Sequence, residues 1–152
     1  MKVKFIDLDR QLLPIREHVD AAMQRVINRG LFVLGPEVQQ FEDRFAEFVG
    51  AEHAIGVSSG TDALLASLMA MGIGPGDEVI TSPYTDPGTI ASILCARALP
   101  VLADLDPESF QLDPADVERR ITANTRAIMP VHIMGQPCDL DSIMAIARKH
   151  NL

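Results

Sequence analysis

The stretch His53-Ala54-Ile55-Gly56-Val57-Ser58-Ser59-Gly60-Thr61-Asp62-Ala63-Leu64-Leu65-Ala66-Ser67-Leu68-Met69-Ala70-Met71 sets the fold class. Residues 53–57 are mostly small and apolar and read as a short buried strand; Ser58-Ser59-Gly60-Thr61 reads as a turn and residues 62–71 as a strongly apolar helix. Gly72-Ile73-Gly74-Pro75-Gly76-Asp77 is a dense run of turn residues, and Glu78-Val79-Ile80-Thr81 reads as the next strand. Toward the C-terminus the alternation repeats. A loop over 82–88 leads to a helix over 89–97, a strand over 99–104, a short helix over 114–121, a strand over 126–132 and a helix over 139–149. Strands alternating with helices predict an α/β fold, a mostly parallel sheet flanked by helices and joined by right-handed crossovers.

Toward the N-terminus the pattern is helical only. Ile15, Val19, Ala22 and Val26 recur at helical spacing over 13–28, and Gly30 is a stop signal. Pro36 suits the first turn of a second helix over 36–50. On that helix Val38, Phe41, Phe45 and Phe48 form one stripe, which reads as core packing. The expected organisation is a helical segment over 1–50 and an α/β portion over 51–152. In the last helix Leu140, Ile143, Met144 and Ala147 share a face, Asp139 can cap the start, and Arg148 and Lys149 suit the negative end of the dipole. The chain stops at Asn151-Leu152, where another strand is expected, so the sheet reads as unfinished.

Composition excludes several classes. The 152 residues are 47% hydrophobic and 22% charged, which is globular rather than disordered. The net charge of −8 disfavours nucleic acid and anionic membrane surfaces as partners, although backbone amides can still hold a small anion. No apolar run approaches a membrane span, and the start Met1-Lys2-Val3-Lys4-Phe5-Ile6-Asp7 turns acidic too soon for a secretory signal. Cys95 and Cys138 form no CxxC pair and read as reduced thiols, so a cytoplasmic location is expected. His18, His53, His132 and His150 show no metal-ligand spacing, so no metal is expected.

The sharpest chemical feature is the turn before the first helix of the α/β portion. Gly60 lets the chain bend tightly, Ser59 and Thr61 supply hydroxyls, and the helix start supplies free N–H groups and a positive dipole end. That is a phosphate cup; an ordinary N-cap with a small-residue turn is the plainer alternative. No lysine adjoins the turn, so it is not a Walker loop, and Gly56 and Gly60 lack the spacing of a dinucleotide fingerprint. The second feature is the loop Ser82-Pro83-Tyr84-Thr85-Asp86-Pro87-Gly88-Thr89, at the carboxyl end of a strand, where open α/β sheets bind ligands. Tyr84 and Asp86 are its candidates, against the alternative of an Asp-Pro turn with Tyr84 at its base. Asp104 and Asp106 read as turn residues, and His132 as a strand-end histidine with its bonds satisfied. The only lysines are Lys2, Lys4 and Lys149, none on a loop facing the turn.

Taken in order, these pieces resemble the N-terminal part of the DegT/DnrJ/StrS family of pyridoxal-phosphate-dependent sugar aminotransferases. The resemblance runs through Arg29-Gly30-Leu31-Phe32-Val33-Leu34-Gly35-Pro36-Glu37-Val38, Val57-Ser58-Ser59-Gly60-Thr61-Asp62-Ala63-Leu64 and Gly76-Asp77-Glu78-Val79-Ile80-Thr81-Ser82-Pro83-Tyr84-Thr85. It continues through Asp104-Leu105-Asp106-Pro107, Leu112-Asp113-Pro114 and Pro130-Val131-His132-Ile133-Met134-Gly135-Gln136-Pro137 to Ala145-Ile146-Ala147-Arg148-Lys149-His150. It implies part of the large domain of the aspartate-aminotransferase fold, working as a homodimer with the segment around Gly35 near the partner. It also implies pyridoxal 5'-phosphate as cofactor, its phosphate held by Ser59, Gly60 and Thr61. The implied reaction moves an amino group, usually from glutamate, onto a keto-sugar nucleotide through a lysine Schiff base, with the cofactor as electron sink.

Two departures shape the expectation. Asp86 stands where such proteins usually carry an aromatic residue over the cofactor ring, with Tyr84 a weak substitute. The Asp that pairs with the pyridinium nitrogen and the Schiff-base lysine have no counterpart in these residues. The chain alone is therefore expected to lack transaminase activity; the alternative is a non-catalytic phosphate-binding or interaction module derived from the same fold.

Overall fold

The centre of the fold is β1 (Glu78–Thr81), whose Val79 and Ile80 are fully buried in the computed structural model. The structure describes residues 3–152, divided into two units, Met1–Gly56 and Val57–Leu152.

The first unit is helical. Asp7 caps α1 (Leu8–Leu12), a 3-10 turn over Leu13–Ile15 follows, and α2 (Arg16–Arg29) ends at Gly30 with φ of 71°. The first helical stretch thus begins earlier than the expected residue 13 and is interrupted at Pro14, which has no N–H to continue an α-helix. Helix α3 (Pro36–Val49) starts at Pro36, and Arg29 Nη1 pairs with Glu37 Oε1 at 2.6 Å across the α2–α3 connection. Contrary to the expected core stripe, Phe41, Phe45 and Phe48 are 61%, 45% and 85% exposed. They pack on one another, with Phe41 and Phe45 rings stacked at 5.6 Å and Phe48 tilted against Phe45. The unit extends to Gly56, whose N–H donates to Glu42 Oε1 at 2.7 Å.

The expected strand over 53–57 does not form. A strand exists only beside a hydrogen-bonded neighbour, and none pairs with this segment among the described residues; Ile55 is left 81% exposed.

The second unit is the α/β portion. Helix α4 (Gly60–Ala70) precedes β1, and α5 (Pro87–Cys95) links β1 to β2 (Leu99–Leu102). Then α6 (Pro114–Arg120) precedes β3 (Thr125–Met129), and α7 (Leu140–His150) closes the unit. The sheet has the order β2-β1-β3 with both pairings parallel. Alternate residues of the sheet feed two separate cores. Ile80 joins Ala103, Leu112, Val117, Ile143 and Ile146 beside α6 and α7. Val79 joins Leu68, Ile73, Ile93 and Ala98 beside α4 and α5. Layers of helix on both faces of a parallel sheet are the expected α/β architecture.

Element ends differ from the sequence reading for local reasons. Strand β3 ends at Met129, not 132, because Pro130 has no N–H for the ladder. Strand β2 ends at Leu102, not 104, because the chain turns away: Asp104 N–H is taken by Asp116, and Leu105 pairs antiparallel with Leu112. Helix α5 starts two residues early because Asp86 caps it. No helix among the described residues is long and apolar enough to cross a membrane.

Candidate functional site

The order β2-β1-β3 sends the chain to opposite sides of β1, so loops diverge at the carboxyl ends of the strands and leave a crevice there. Two helix starts meet at that edge, those of α4 and α5.

At the start of α4, Ser59 is the N-cap, with extended φ and ψ, and its Oγ accepts the Asp62 N–H at 3.1 Å. Gly60 and Thr61 occupy the first two helical positions, where no carbonyl stands opposite the N–H. A Cβ built on Gly60 meets nothing within 4 Å, so the tip is open. The Thr61 hydroxyl has no hydrogen-bond partner among the described residues. The donors expected from the sequence are therefore together: two free N–H groups and one free hydroxyl on an electropositive helix end. Ser59 is different. Its hydroxyl and that of Ser58 both donate to Asp62 Oδ2, Ser59 at 3.0 Å. These bonds, Ser58's first, hold the Asp62 carboxyl below the usual carboxylate range.

The tip of α5 fits against this turn through Gly88. A Cβ at residue 88 would fall 2.9 Å from Asp86 Oδ1 and closer still to Thr61 Oγ1. Asp86 caps α5, its Oδ1 accepting the Gly88 N–H at 2.8 Å. Its carboxylate thus has a structural partner and lies beside Thr61. Below it, Thr85 and Thr89 hydroxyls share a bond of 2.7 Å, and Ser82 Oγ accepts the Tyr84 N–H at 3.0 Å.

Tyr84 lies on the wall of a concavity of about 590 Å³ at the same sheet edge, with Leu105, Phe110, Gln111, Ile133 and Met134. Sequence reasoning passed over Phe110 and Met134, which stand at φ of 58° and 53°, a conformation bulky residues rarely take. It also passed over Gly88 and the carboxylate of Asp62. The spacing Ser59-x-x-Asp62, a capping-box pattern, was the available signal for the latter.

The other candidates have structural duties. Asp106 Oδ1 accepts the Ser109 N–H at 2.7 Å and the Ser109 hydroxyl at 2.8 Å. His132 Nδ1 accepts the Cys138 N–H at 3.1 Å. Lys149 Nζ pairs with Glu118 Oε1 at 2.6 Å near the C-terminus of α7, a helix that starts at the crevice edge and runs away from it. Lys4 pairs with Asp7 at 3.2 Å, and Lys2 lies outside the described residues. No cluster of His, Cys, Asp and Glu suited to a metal ion occurs among the described residues.

Known proteins resemble this chain along its whole length. Residues 14–152 match the sequence model of the DegT/DnrJ/EryC1/StrS aminotransferase family. Over 150 residues, 99% of the chain, the sequence is 47% identical to a UDP-2-acetamido-2-deoxy-3-oxo-D-glucuronate aminotransferase of Pseudomonas aeruginosa, of which it covers 42%. It is 41% identical to a dTDP-3-amino-3,4,6-trideoxy-alpha-D-glucose transaminase of Streptomyces venezuelae, covering 99% of the chain and 40% of that protein. Among solved structures, DesV of Streptomyces venezuelae superposes with a TM-score of 0.96 at 41% identity, over 99% of this chain and 41% of DesV. Ntda of Bacillus subtilis, solved with bound cofactor PMP, superposes with a TM-score of 0.94 at 34% identity, over 99% of this chain and 35% of that one. The chain thus spans about two-fifths of the length of the curated relatives it matches.

Proposed function

Because this chain belongs to the DegT/DnrJ/EryC1/StrS aminotransferase family, we propose that its α4–α5 edge anchors the phosphate of pyridoxal 5'-phosphate in amino-group transfer to a keto-sugar nucleotide. The observation that carries the reading is the set of free donors: Gly60 N–H, Thr61 N–H and the Thr61 hydroxyl on one open helix tip. Free N–H groups beside a hydroxyl at a helix start suit a phosphate monoester, and Gly88, having no side chain, lets α5 come up against Thr61 Oγ1. When bound, the cofactor supplies the electron sink. These residues supply the anchor and its orientation. Asp86 caps α5 and cannot present a π-face, so ring covering is not its task here; Tyr84 is the aromatic residue of this loop.

A homodimer and a cytoplasmic location belong to the same reading. What supports the former is the apolar surface of α3, where Phe41, Phe45 and Phe48 are uncovered. Sizing by light scattering is expected to give a dimer or larger assembly.

The anchor is tested by thermal melting of the purified chain with pyridoxal 5'-phosphate and with pyridoxal, which lacks the phosphate. The phosphate ester is expected to raise the melting temperature and pyridoxal to leave it unchanged. Thr61→Ala removes one of three donors and is expected to weaken the effect about tenfold in ligand concentration. Equal stabilisation by both ligands, or an unaltered response in Thr61→Ala, overturns the anchor.

Amino transfer needs an amine nucleophile at the cofactor. Lys149 is the sole lysine in the unit that carries the cup, and its ammonium is paired with Glu118. Residues 1–152 alone are therefore expected to release no 2-oxoglutarate from glutamate in the presence of cofactor and a keto-sugar nucleotide. Catalytic release of 2-oxoglutarate would contradict this.

A further inference from the structure

The loop that joins β3 to α7 is closed by an imidazole. It leaves β3 after Met129, passes through a 3-10 turn at Ile133–Gly135 and reaches α7 at Leu140. Two contacts span it, both from Cys138. The Cys138 Sγ donates to the Val131 carbonyl at 3.0 Å, and its backbone N–H donates to His132 Nδ1 at 3.1 Å. Within the loop the Gly135 and Gln136 N–H groups go to the carbonyls of His132 and Ile133, and Pro137 has no N–H. Cys138 is 5% exposed, so water does not simply replace the imidazole as acceptor for its N–H. The loop also shapes a surface. Ile133, Met134 and Gln136 wall the concavity that holds Tyr84, and Met134, at φ of 53°, is in a conformation that its surroundings must hold.

An imidazole nitrogen accepts a hydrogen bond only while it carries no proton. The Cys138 N–H therefore fixes His132 as the neutral tautomer with its proton on Nε2. A second proton has only Nδ1 to go to, where two N–H groups would face each other. Histidine is the side chain that ordinarily gains this proton between pH 5 and 8. The neighbouring acids do not change charge there, since carboxylates lose their protons below that window and thiols above it. On the loop and the start of α7 these are the Cys138 thiol and Asp139, which accepts the N–H and hydroxyl of Ser142. On the facing segment they are Asp106, bound to Ser109, and Asp113, which caps α6; both line a hollow with Cys138 and Asp139. His150, the other histidine of this unit, lies at the far end of α7 against Glu118. His132 makes no ion pair among the described residues.

We propose that His132 is a pH-sensitive latch on the loop between β3 and α7. Neutral, it holds the Cys138 N–H and keeps the wall formed by Ile133, Met134 and Gln136 in place. Protonated, it releases that N–H, and Met134 is free to leave its strained conformation. Both partners of the latch, and the loop it closes, lie within residues 131–138. The latch does not rest on the phosphate reading above, whose failure would leave it standing.

The test is amide hydrogen exchange of the purified 152-residue chain, followed by NMR at pH 5 and pH 7.5 and corrected for the intrinsic pH dependence of exchange. The Cys138 amide is expected to be about tenfold less protected at pH 5, the scale of one lost hydrogen bond. The Ile80 amide in β1 reports opening of the whole unit and is expected to keep its protection. Ring-nitrogen spectra at pH 7.5 are expected to show His132 Nδ1 bare and Nε2 protonated. His132→Asn sets a carbonyl oxygen, which does not titrate here, near the place of Nδ1 and is expected to protect Cys138 equally at both pH values. His132→Ala supplies no acceptor and is expected to leave Cys138 poorly protected at both. A merely structural histidine would lower protection when removed but give wild type no pH dependence. Equal protection of Cys138 at the two pH values in wild type overturns the latch. So does a fall at pH 5 that persists in His132→Asn and His132→Ala, a parallel fall at Ile80, or a wild-type ring with its proton on Nδ1.

Discussion

Asp116→Ala is expected to lower the unfolding free energy by about 2–3 kcal/mol, the scale of losing a charge-assisted bond to a backbone N–H together with its ionic partners. The Asp116 side chain is only 9% exposed. Its Oδ2 accepts the Asp104 N–H at 2.6 Å and Arg120 Nε at 2.5 Å, and Oδ1 accepts Arg119 Nη2 at 2.8 Å. The first of these matters most for the site, because it bends the chain out of β2 toward the loop that walls the concavity. The two arginines are largely solvated, so their share is the smaller one.

The same residue gives stability an acid edge. Chiefly the Arg120 hydrogen bond, and next the Asp104 N–H, pull the Asp116 carboxyl from 3.8 down to about 2. A folded value below the unfolded one means that the stabilisation is complete above pH 4 and is lost as pH falls toward 2. At 1.36 kcal/mol per pH unit the whole effect is about 2 kcal/mol, less what solvent screens around the exposed arginines. Asp62, Asp106, Glu118 and Asp139 are also held low by their hydrogen bonds and add a slope of the same sign. Comparing wild type with Asp116→Asn by urea unfolding at each pH removes that shared slope. The difference between them is expected to be largest at pH 7 and to shrink below pH 4. A difference that stays constant down to pH 2.5 would refute the assignment.

Much of this arrangement is written locally in the chain and therefore legible. The run of glycines and Pro75 before β1, the period of α7 and its capping residue Asp139 each act over a few residues, and the structure forms both elements there. The turn at Ser59-Gly60-Thr61 is legible for the same reason, since a cap and a glycine before an apolar helix mark where that helix starts. Three things were not local. Residues 53–57 have strand composition, but pairing is decided by what lies alongside. The stripe of Phe41, Phe45 and Phe48 has core periodicity, yet periodicity says which side is apolar and not whether anything covers it. The meeting of Thr61 with Gly88 joins residues 27 positions apart through the packing of α4 on α5, and no spacing within either segment announces it.

That meeting carries the other large expected effect. Gly88→Ala is expected to leave the chain folded while abolishing the stabilisation by pyridoxal 5'-phosphate. Inside a helix Ala is favoured over Gly by about 1 kcal/mol. Against that gain stands the new Cβ, 2.9 Å from Asp86 Oδ1 and nearer still to Thr61 Oγ1. Both obstructing atoms end short side chains, so they move and the backbone stays. Moving Asp86 Oδ1 breaks the α5 cap, a loss of about 1 kcal/mol that cancels the helical gain. Moving Thr61 Oγ1 turns its hydroxyl out of the cup, and the added methyl group then stands where the two helix tips meet. Net stability is therefore nearly unchanged while the ligand response disappears, a combination that a general packing defect does not produce. Gly88→Ser adds an oxygen to the same Cβ and is expected to behave alike. Were Gly88→Ala to melt several degrees lower yet still respond to the phosphate ester like wild type, the approach of α5 to Thr61 would be a packing contact and no part of the anchor.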